Sequence, residues 1–139
     1  MVKAENASNF SREIDKPRDH CTVVGMISFT GKDVAPAVRI ALHDQQNRGE
    51  DGSGIATRSD YSGFFNLYKE LGLVAQAFPD GKLEEEQLSG SLAIGHNRYA
   101  TSGGREKDIE GKRKCLQPYH VGFDKRSLVL AHNGNIPEK

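Results

Sequence analysis

Tryptophan is absent, and there are only two cysteines, Cys21 and Cys115, far apart and without C-x-x-C spacing. Two such thiols, in a chain with no secretory signal, read as reduced rather than bridged. There is no excess of charge either: 19 Lys and Arg face 19 Asp and Glu. That balance removes the global electrostatic case for a nucleic-acid or anionic-membrane partner. Residues 1–20 hold no apolar run able to serve as a signal peptide or to span a membrane. The cytoplasm is therefore the expected compartment. The histidines, His20, His43, His96, His120 and His132, fall at no metal-ligand spacing, so no metal is expected. Internal repeats, heptads and low-complexity tracts are also missing. What remains is a glycine-rich, turn-rich sequence of 139 residues, enough for one domain with a modest core.

Residues 1–20 are polar, mixed in charge and without period, which suits a flexible leader. Order is expected from Cys21. The apolar, β-rich run 21–29 predicts a buried strand. Asp33 is placed to cap a helix, along which Val34, Val38, Ala41 and Leu42 recur at helical spacing. Pro36 falls in its first turn, and Gly49 is a natural stop after about Asn47. Residues 53–57 and 64–70, around a turn at 60–63, predict a hairpin. Residues 73–78 fit helix or strand equally, and 82–88 predict a short helix. Residues 92–99 predict another strand, with polar residues gathered at its far end. The charged, Gly-rich stretch 101–114 predicts a mobile surface loop. Residues 121–123 and 127–131 predict two strands joined at 124–126.

Three places hold residue types suited to chemistry. Cys21 has two readings. One is a small buried hydrophobe at a strand start. The other is a nucleophile, which needs a base beside it. No histidine is placed to serve. If the chain is cut after His20, however, Cys21 gains an α-amino group with an ordinary pKa of about 8, able to take the thiol proton. Arg98, at a strand end and followed by Thr101, offers a planar fork matched to a carboxylate. An isolated surface arginine is the plainer reading. Asn133-Gly134 is either a tight hairpin turn or an oxyanion hole made of the Asn133 side-chain amide and the Gly134 N–H.

Five blocks, taken in order, carry a resemblance. They are Cys21-Thr22-Val23-Val24-Gly25, the run Gln46-Asn47-Arg48-Gly49-Glu50-Asp51-Gly52-Ser53-Gly54-Ile55-Ala56, the run Gly95-His96-Asn97-Arg98-Tyr99-Ala100-Thr101-Ser102-Gly103, the pair Gln117-Pro118, and Ala131-His132-Asn133-Gly134-Asn135. Together they resemble the class II glutamine amidotransferases, from Cys21 to about Ile136. Within that class, Tyr99 after Arg98 and the block from Gln46 to Asp51 resemble the amidophosphoribosyltransferase family more than glucosamine-6-phosphate synthase, which is the alternative. A further alternative is a non-catalytic remnant or interaction module of the same family. It is motivated by the uncut leader, by Thr22 where the family usually has Gly, and by the end at Lys139.

The resemblance implies an α+β fold of the N-terminal-nucleophile hydrolase type, an αββα four-layer sandwich, incomplete at its C-terminal side. It divides the chain into a leader or propeptide, residues 1–20, and the front part of an amidotransferase domain, residues 21–139. It implies that Cys21 is the nucleophile, that Asn133 and Gly134 form the oxyanion hole, and that Arg98 and Thr101 hold the α-carboxylate end of glutamine. Arg48 and Gly49 are implied as support. The implied reaction releases ammonia from glutamine through a glutamyl thioester. The ammonia then displaces pyrophosphate from phosphoribosyl pyrophosphate on a C-terminal domain beyond this chain, in purine synthesis. Magnesium and, in some relatives, an iron–sulfur cluster belong to the full-length family outside this segment, so no cofactor is expected here. A homo-oligomer is implied for the full-length enzyme. The loop after Arg98 is implied to close over glutamine, with Gly103 and Gly104 as its hinge. Cys115 stands where many relatives have Asn, and the family's later strands have no counterpart.

Overall fold

A computed structural model describes residues 21–99, 108–123 and 126–134, with the side chains of Arg48 and Phe123 outside that description. The expected leader, residues 1–20, lies outside it too. Four strands form one sheet: β1 (Thr22–Ile27), β2 (Gly52–Arg58), β3 (Phe65–Leu71) and β4 (Leu92–Arg98). Their order is β1-β4-β2-β3, and each neighbouring pair is antiparallel. The strands β5 (Tyr119–Phe123) and β6 (Arg126–Leu130) make a separate antiparallel pair. The helices are α1 (Ala35–Asp44), two single turns, α2 (Val74–Ala77) and α3 (Lys82–Glu85), and α4 (Ile109–Lys114). Helices and antiparallel strands are mixed along the chain, in line with the expected α+β class.

The helix α1 starts where its sequence allows. Pro36 occupies the first turn, where a missing N–H costs little. The Asp33 carboxylate accepts from the Ala35 N–H at 3.0 Å and from the Gly90 N–H at 3.1 Å. One side chain thus primes the helix and pins it to the approach of β4. Ala35, Val38 and Leu42 form the buried stripe of α1. They pack with Ile55, Val74, Phe78, Leu88 and Ala93 into one core, to which Val24, Met26 and Tyr68 contribute from the sheet. Helix and sheet meet closely at Gly95. A Cβ there would stand 2.6 Å from Val38 Cγ1 and 2.9 Å from Leu42 Cδ1. Overpacking of that kind costs about 1–3 kcal/mol, so the position holds the smallest residue.

The opposite face of the sheet is covered differently. Leu116, Gln117 and Pro118 are buried against it. A Cβ on Gly54 would overlap the Gln117 carbonyl, and one on Gly52 would come within 2.5 Å of Leu116 Cδ2. The Lys69 ammonium, on β3, donates to the Leu116 carbonyl at 2.7 Å. The β5–β6 pair follows directly, with the His120 ring 6.0 Å from that of Phe65. The four-stranded sheet therefore has α1 packed on one face and the segment 116–118, leading into the two-stranded β5–β6 sheet, on the other.

Three expectations need correction. The charged stretch 101–114 is not loop throughout, because residues 109–114 form α4. Asp108 caps it, accepting from the Gly111 N–H at 2.6 Å. Glu110 in its first turn and Lys112, Arg113 and Lys114 in its last suit the helix dipole. Arg113 also grips the Glu70 carboxylate of β3 at 3.0 and 3.2 Å. The charges that suggested a solvated loop are those of a capped, anchored helix. Second, α1 ends at Asp44, and 46–48 tighten into a 3₁₀ turn, because strand side chains take up the last helical carbonyls. Third, α3 stops at Glu85 instead of running to 88. Gln87 adopts a left-handed φ of 54° and turns Leu88 into the core. The ambiguous run 73–78 folds as the single turn α2, its opening Leu73 N–H taken by Gln76 Oε1 at 3.0 Å. Among the described residues no helix is long and apolar enough to cross a membrane.

Candidate functional site

The pairing of β1 with β4 sets Thr22 opposite Asn97. Cys21, one residue before, is thereby brought to the end of β4 that carries Arg98 and Tyr99. Its sulfur lies 3.4 Å from the Tyr99 N–H, which points at it, and 3.9 Å from the Tyr99 carbonyl. The thiol is half-buried.

Arg98 is held by its backbone on two sides. Its carbonyl accepts from the Asp51 N–H at 3.0 Å. Gly49 lies against the same peptide, and a Cβ there would stand 2.9 Å from the Arg98 carbonyl carbon and oxygen and from the Asn97 carbonyl. The run from Gln46 to Asp51 is therefore a brace behind Arg98. The brace is itself fastened, since Gln46 Oε1 accepts from the Val74 N–H at 2.8 Å. The guanidinium reaches toward the Lys112 carbonyl of α4, 3.5 Å away.

Below this pair runs a buried polar row. Thr22, Asn97 and Ser53 are direct neighbours across three strands, and all are closed off from solvent. Asn97 donates to the Leu42 carbonyl at 2.7 Å and accepts from the Ser53 hydroxyl at 2.9 Å. Thr22 donates to the Gln45 carbonyl at 3.3 Å. Helix ends leave their last carbonyls without internal donors. Here two adjacent strands supply them. Sequence reasoning missed Asn97 and Thr22 as site supports. The available signal was Asn97 in phase with Ala93 and Gly95, a polar residue on the core-facing side of a strand.

Asn133 and Gly134 follow β6, exposed, at the turn where β-structure ends. Gly134 has a φ of 139°, a backbone region that side chains disfavour. The residue before them, His132, is tied by its N–H to Gln117 Oε1 at 2.7 Å. The turn is thus connected to the four-stranded sheet through Gln117, whose backbone rests on Gly54. Gly54 pairs with His96 across the sheet. His96 is 1% exposed, and neither ring nitrogen has a hydrogen-bond partner among the described residues. Burial pushes its pKa down to about 4. The His132 backbone opposes that shift, while the His132 side chain and Arg98 add to it.

The structure therefore brings Cys21, Gly49 and Arg98 together at one end of the four-stranded sheet. It sets Asn133 and Gly134 on the neighbouring pair, connected through Gln117 and His132. Thr101 lies outside the described residues, as do the side chain of Arg48 and the suggested hinge at Gly103 and Gly104. Among the described residues no three of His, Cys, Asp and Glu gather as a metal site would require.

No family model matches the chain. The chain is 36% identical over 134 residues to a chloroplastic amidophosphoribosyltransferase of Vigna aconitifolia, an alignment covering 96% of this chain and 25% of that protein. It is 37% identical over 122 residues to amidophosphoribosyltransferase 2, chloroplastic, of Arabidopsis thaliana, covering 88% of this chain and 20% of that one. Its fold matches the glutamine phosphoribosylpyrophosphate amidotransferase of B. subtilis with a TM-score of 0.59 and 32% identity, over 78% of this chain and 21% of that chain. The chain belongs with the glutamine amidotransferases. Its relatives within that class are the amidophosphoribosyltransferases, of whose length it spans about a quarter or less. These matches give no support to the glucosamine-6-phosphate synthase alternative.

Proposed function

We propose that this chain carries the glutamine-hydrolysing site of an amidophosphoribosyltransferase, with Cys21 as its nucleophile. The observation that carries the reading is the β1–β4 register, which sets the Cys21 thiol against Tyr99 and beside Arg98. A thiol that attacks the side-chain amide of glutamine needs the other end of that substrate fixed a short distance away. Arg98 is the cation at that place, and its two-pronged donor fits the α-carboxylate. Thr101 is assigned to the same carboxylate.

Removal of residues 1–20 frees the Cys21 α-amine. That amine takes the thiol proton, and sulfur attacks the amide carbon. The oxygen that becomes negative is received by the Asn133 side-chain amide and the Gly134 N–H. Collapse of this intermediate breaks the C–N bond. The amine returns the proton to nitrogen, and ammonia leaves a glutamyl thioester on Cys21. Water, deprotonated by the same amine, then displaces the sulfur and yields glutamate. Gly49 and Arg48 act as support for Arg98 and take no part in the proton transfers.

In this reading residues 21–139 are the front of an αββα sandwich. The helical layer, the four-stranded sheet and the β5–β6 pair correspond to its first three layers. The ammonia is delivered to phosphoribosyl pyrophosphate on a part of the protein outside this chain, a cytoplasmic step of purine synthesis made by an oligomer. Magnesium, and an iron–sulfur cluster where one is carried, belong to that outer part.

A glutamine analogue with an alkylating side chain tests the site. Mass spectrometry of the treated protein is expected to show a single adduct on Cys21 when that residue is amino-terminal, and protection by glutamine. Cys115 serves as the internal control. An unlabelled Cys21 at a free amino terminus would refute the assignment and favour a non-catalytic member of the family.

A further inference from the structure

Gln117 is not among the residues assigned to the reaction, yet its environment is unusually constrained. It is 6% exposed. Its neighbour Leu116 is fully packed, with the side chain over Gly52 and the carbonyl held by Lys69 at 2.7 Å. Its own carbonyl is pressed onto Gly54 so closely that no side chain fits there. Just before it, the Cys115 carbonyl accepts from the Tyr119 hydroxyl at 3.2 Å. The backbone at Gln117 is therefore fixed to β2 and β3 from several directions. From this fixed point the side chain reaches out and accepts the His132 N–H at 2.7 Å.

We propose that Gln117 is the positioning residue of the oxyanion turn. This inference rests on the reading of Asn133 and Gly134 as the oxyanion hole. His132 directly precedes that turn and lies just after the end of β6. Gln117 Oε1 sets where the chain leaves β6, and so where the Asn133 amide and Gly134 N–H stand relative to Cys21. The contact lies 15 residues apart in sequence and joins the second sheet to the first. Oxyanion donors act in the transition state, and their placement tolerates little error. A loosened turn therefore lowers kcat and leaves glutamine binding at Arg98 largely intact.

The test is steady-state glutaminase kinetics on the natural protein and three variants. Gln117→Leu removes the acceptor, and Gln117→Asn keeps an amide but shortens its reach. Both are expected to lower kcat by about 10- to 100-fold, the scale of a misplaced catalytic group, with KM for glutamine within about threefold. Gln117→Glu keeps an oxygen at the same reach and is expected to restore kcat to within about threefold. The reaction of Cys21 with iodoacetamide, which uses no oxyanion hole, is expected to be unchanged in all three. If Gln117→Leu does not fold, Gln117→Asn and Gln117→Glu decide between them. A Gln117→Glu enzyme as slow as Gln117→Asn, or variants altered in KM alone, would overturn the inference while the proposed function stands. No turnover and no labelling of Cys21 in the unsubstituted protein would overturn both.

Discussion

Asn97 offers the sharpest test of how the site is held. It has no exposed surface, and both ends of its amide are used, toward Leu42 and Ser53. Asn97→Leu keeps the branched four-atom side-chain skeleton, in a somewhat larger volume, and removes both bonds. The Leu42 carbonyl and the Ser53 hydroxyl are then buried without these partners, at about 1–3 kcal/mol each, so about 2–6 kcal/mol in all. Ser53→Ala alone strands only the Asn97 oxygen, at about 1–3 kcal/mol. The double variant strands only the Leu42 carbonyl, again about 1–3 kcal/mol. The two substitutions are therefore expected to be strongly non-additive, with the double variant no less stable than Asn97→Leu. The stranded groups imply a coupling of about 2–6 kcal/mol, whose lower end lies within the range of about 0.5–3 kcal/mol for residues in direct contact. Urea unfolding of the four proteins, followed by far-UV circular dichroism, measures it. Losses that simply sum would refute the hydrogen-bonded row as described.

His96 makes stability depend on pH. Its folded pKa, about 4, is lower than its ordinary 6.5, so between these values the unfolded chain binds the extra proton. Stability from this group is intact above about pH 7 and falls with acidification until about pH 4, by on the order of 3 kcal/mol. In His96→Leu that part of the slope is expected to vanish from a plot of unfolding midpoint against pH, and an unchanged slope would show the ring is not buried neutral. Gly49→Ala is expected to push on the Arg98 peptide, to cost about 1–3 kcal/mol, and to raise KM for glutamine more than it lowers kcat. Wild-type melting temperature and KM in that variant would show that the close approach does not exist.

Local signals were read well from sequence, and long-range ones were not. The apolar phase of Val34, Val38 and Leu42 is carried by adjacent turns, and α1 lies where that phase puts it. The turn between β2 and β3 is likewise a short-range feature, and the hairpin forms around it. The placement of β4 between β1 and β2 depends on contacts across some seventy residues and has no local signature. α4 reads as loop from its charge content, because its cap lies in a single residue. Asp108, Glu110 and the three terminal basic residues form a helix signature that composition alone hides. For the site, Cys21, Arg98 and the Asn133-Gly134 pair were recognisable as residue types suited to the chemistry. Asn97 and Gln117 are not, since each acts through hydrogen bonds to residues far away in sequence.

Thr22 shows how such a distant bond changes the meaning of a residue. Next to a nucleophile, a side chain in place of Gly reads as an obstacle. In the fold, Thr22 is buried and its hydroxyl serves the Gln45 carbonyl at the end of α1. Its cross-strand partner Asn97 serves the Leu42 carbonyl one turn earlier. The same helix end is thus tied to the strand that begins beside Cys21 and to the strand that ends in Arg98. Buried polar groups destabilise a core when half satisfied and rigidify it when fully satisfied. Asn97 is satisfied at both ends, so the row fixes the spacing between β1, which follows Cys21, and β4, which ends in Arg98. On the proposed reading, in which the thiol and the guanidinium act on two ends of one small substrate, both depend on that spacing.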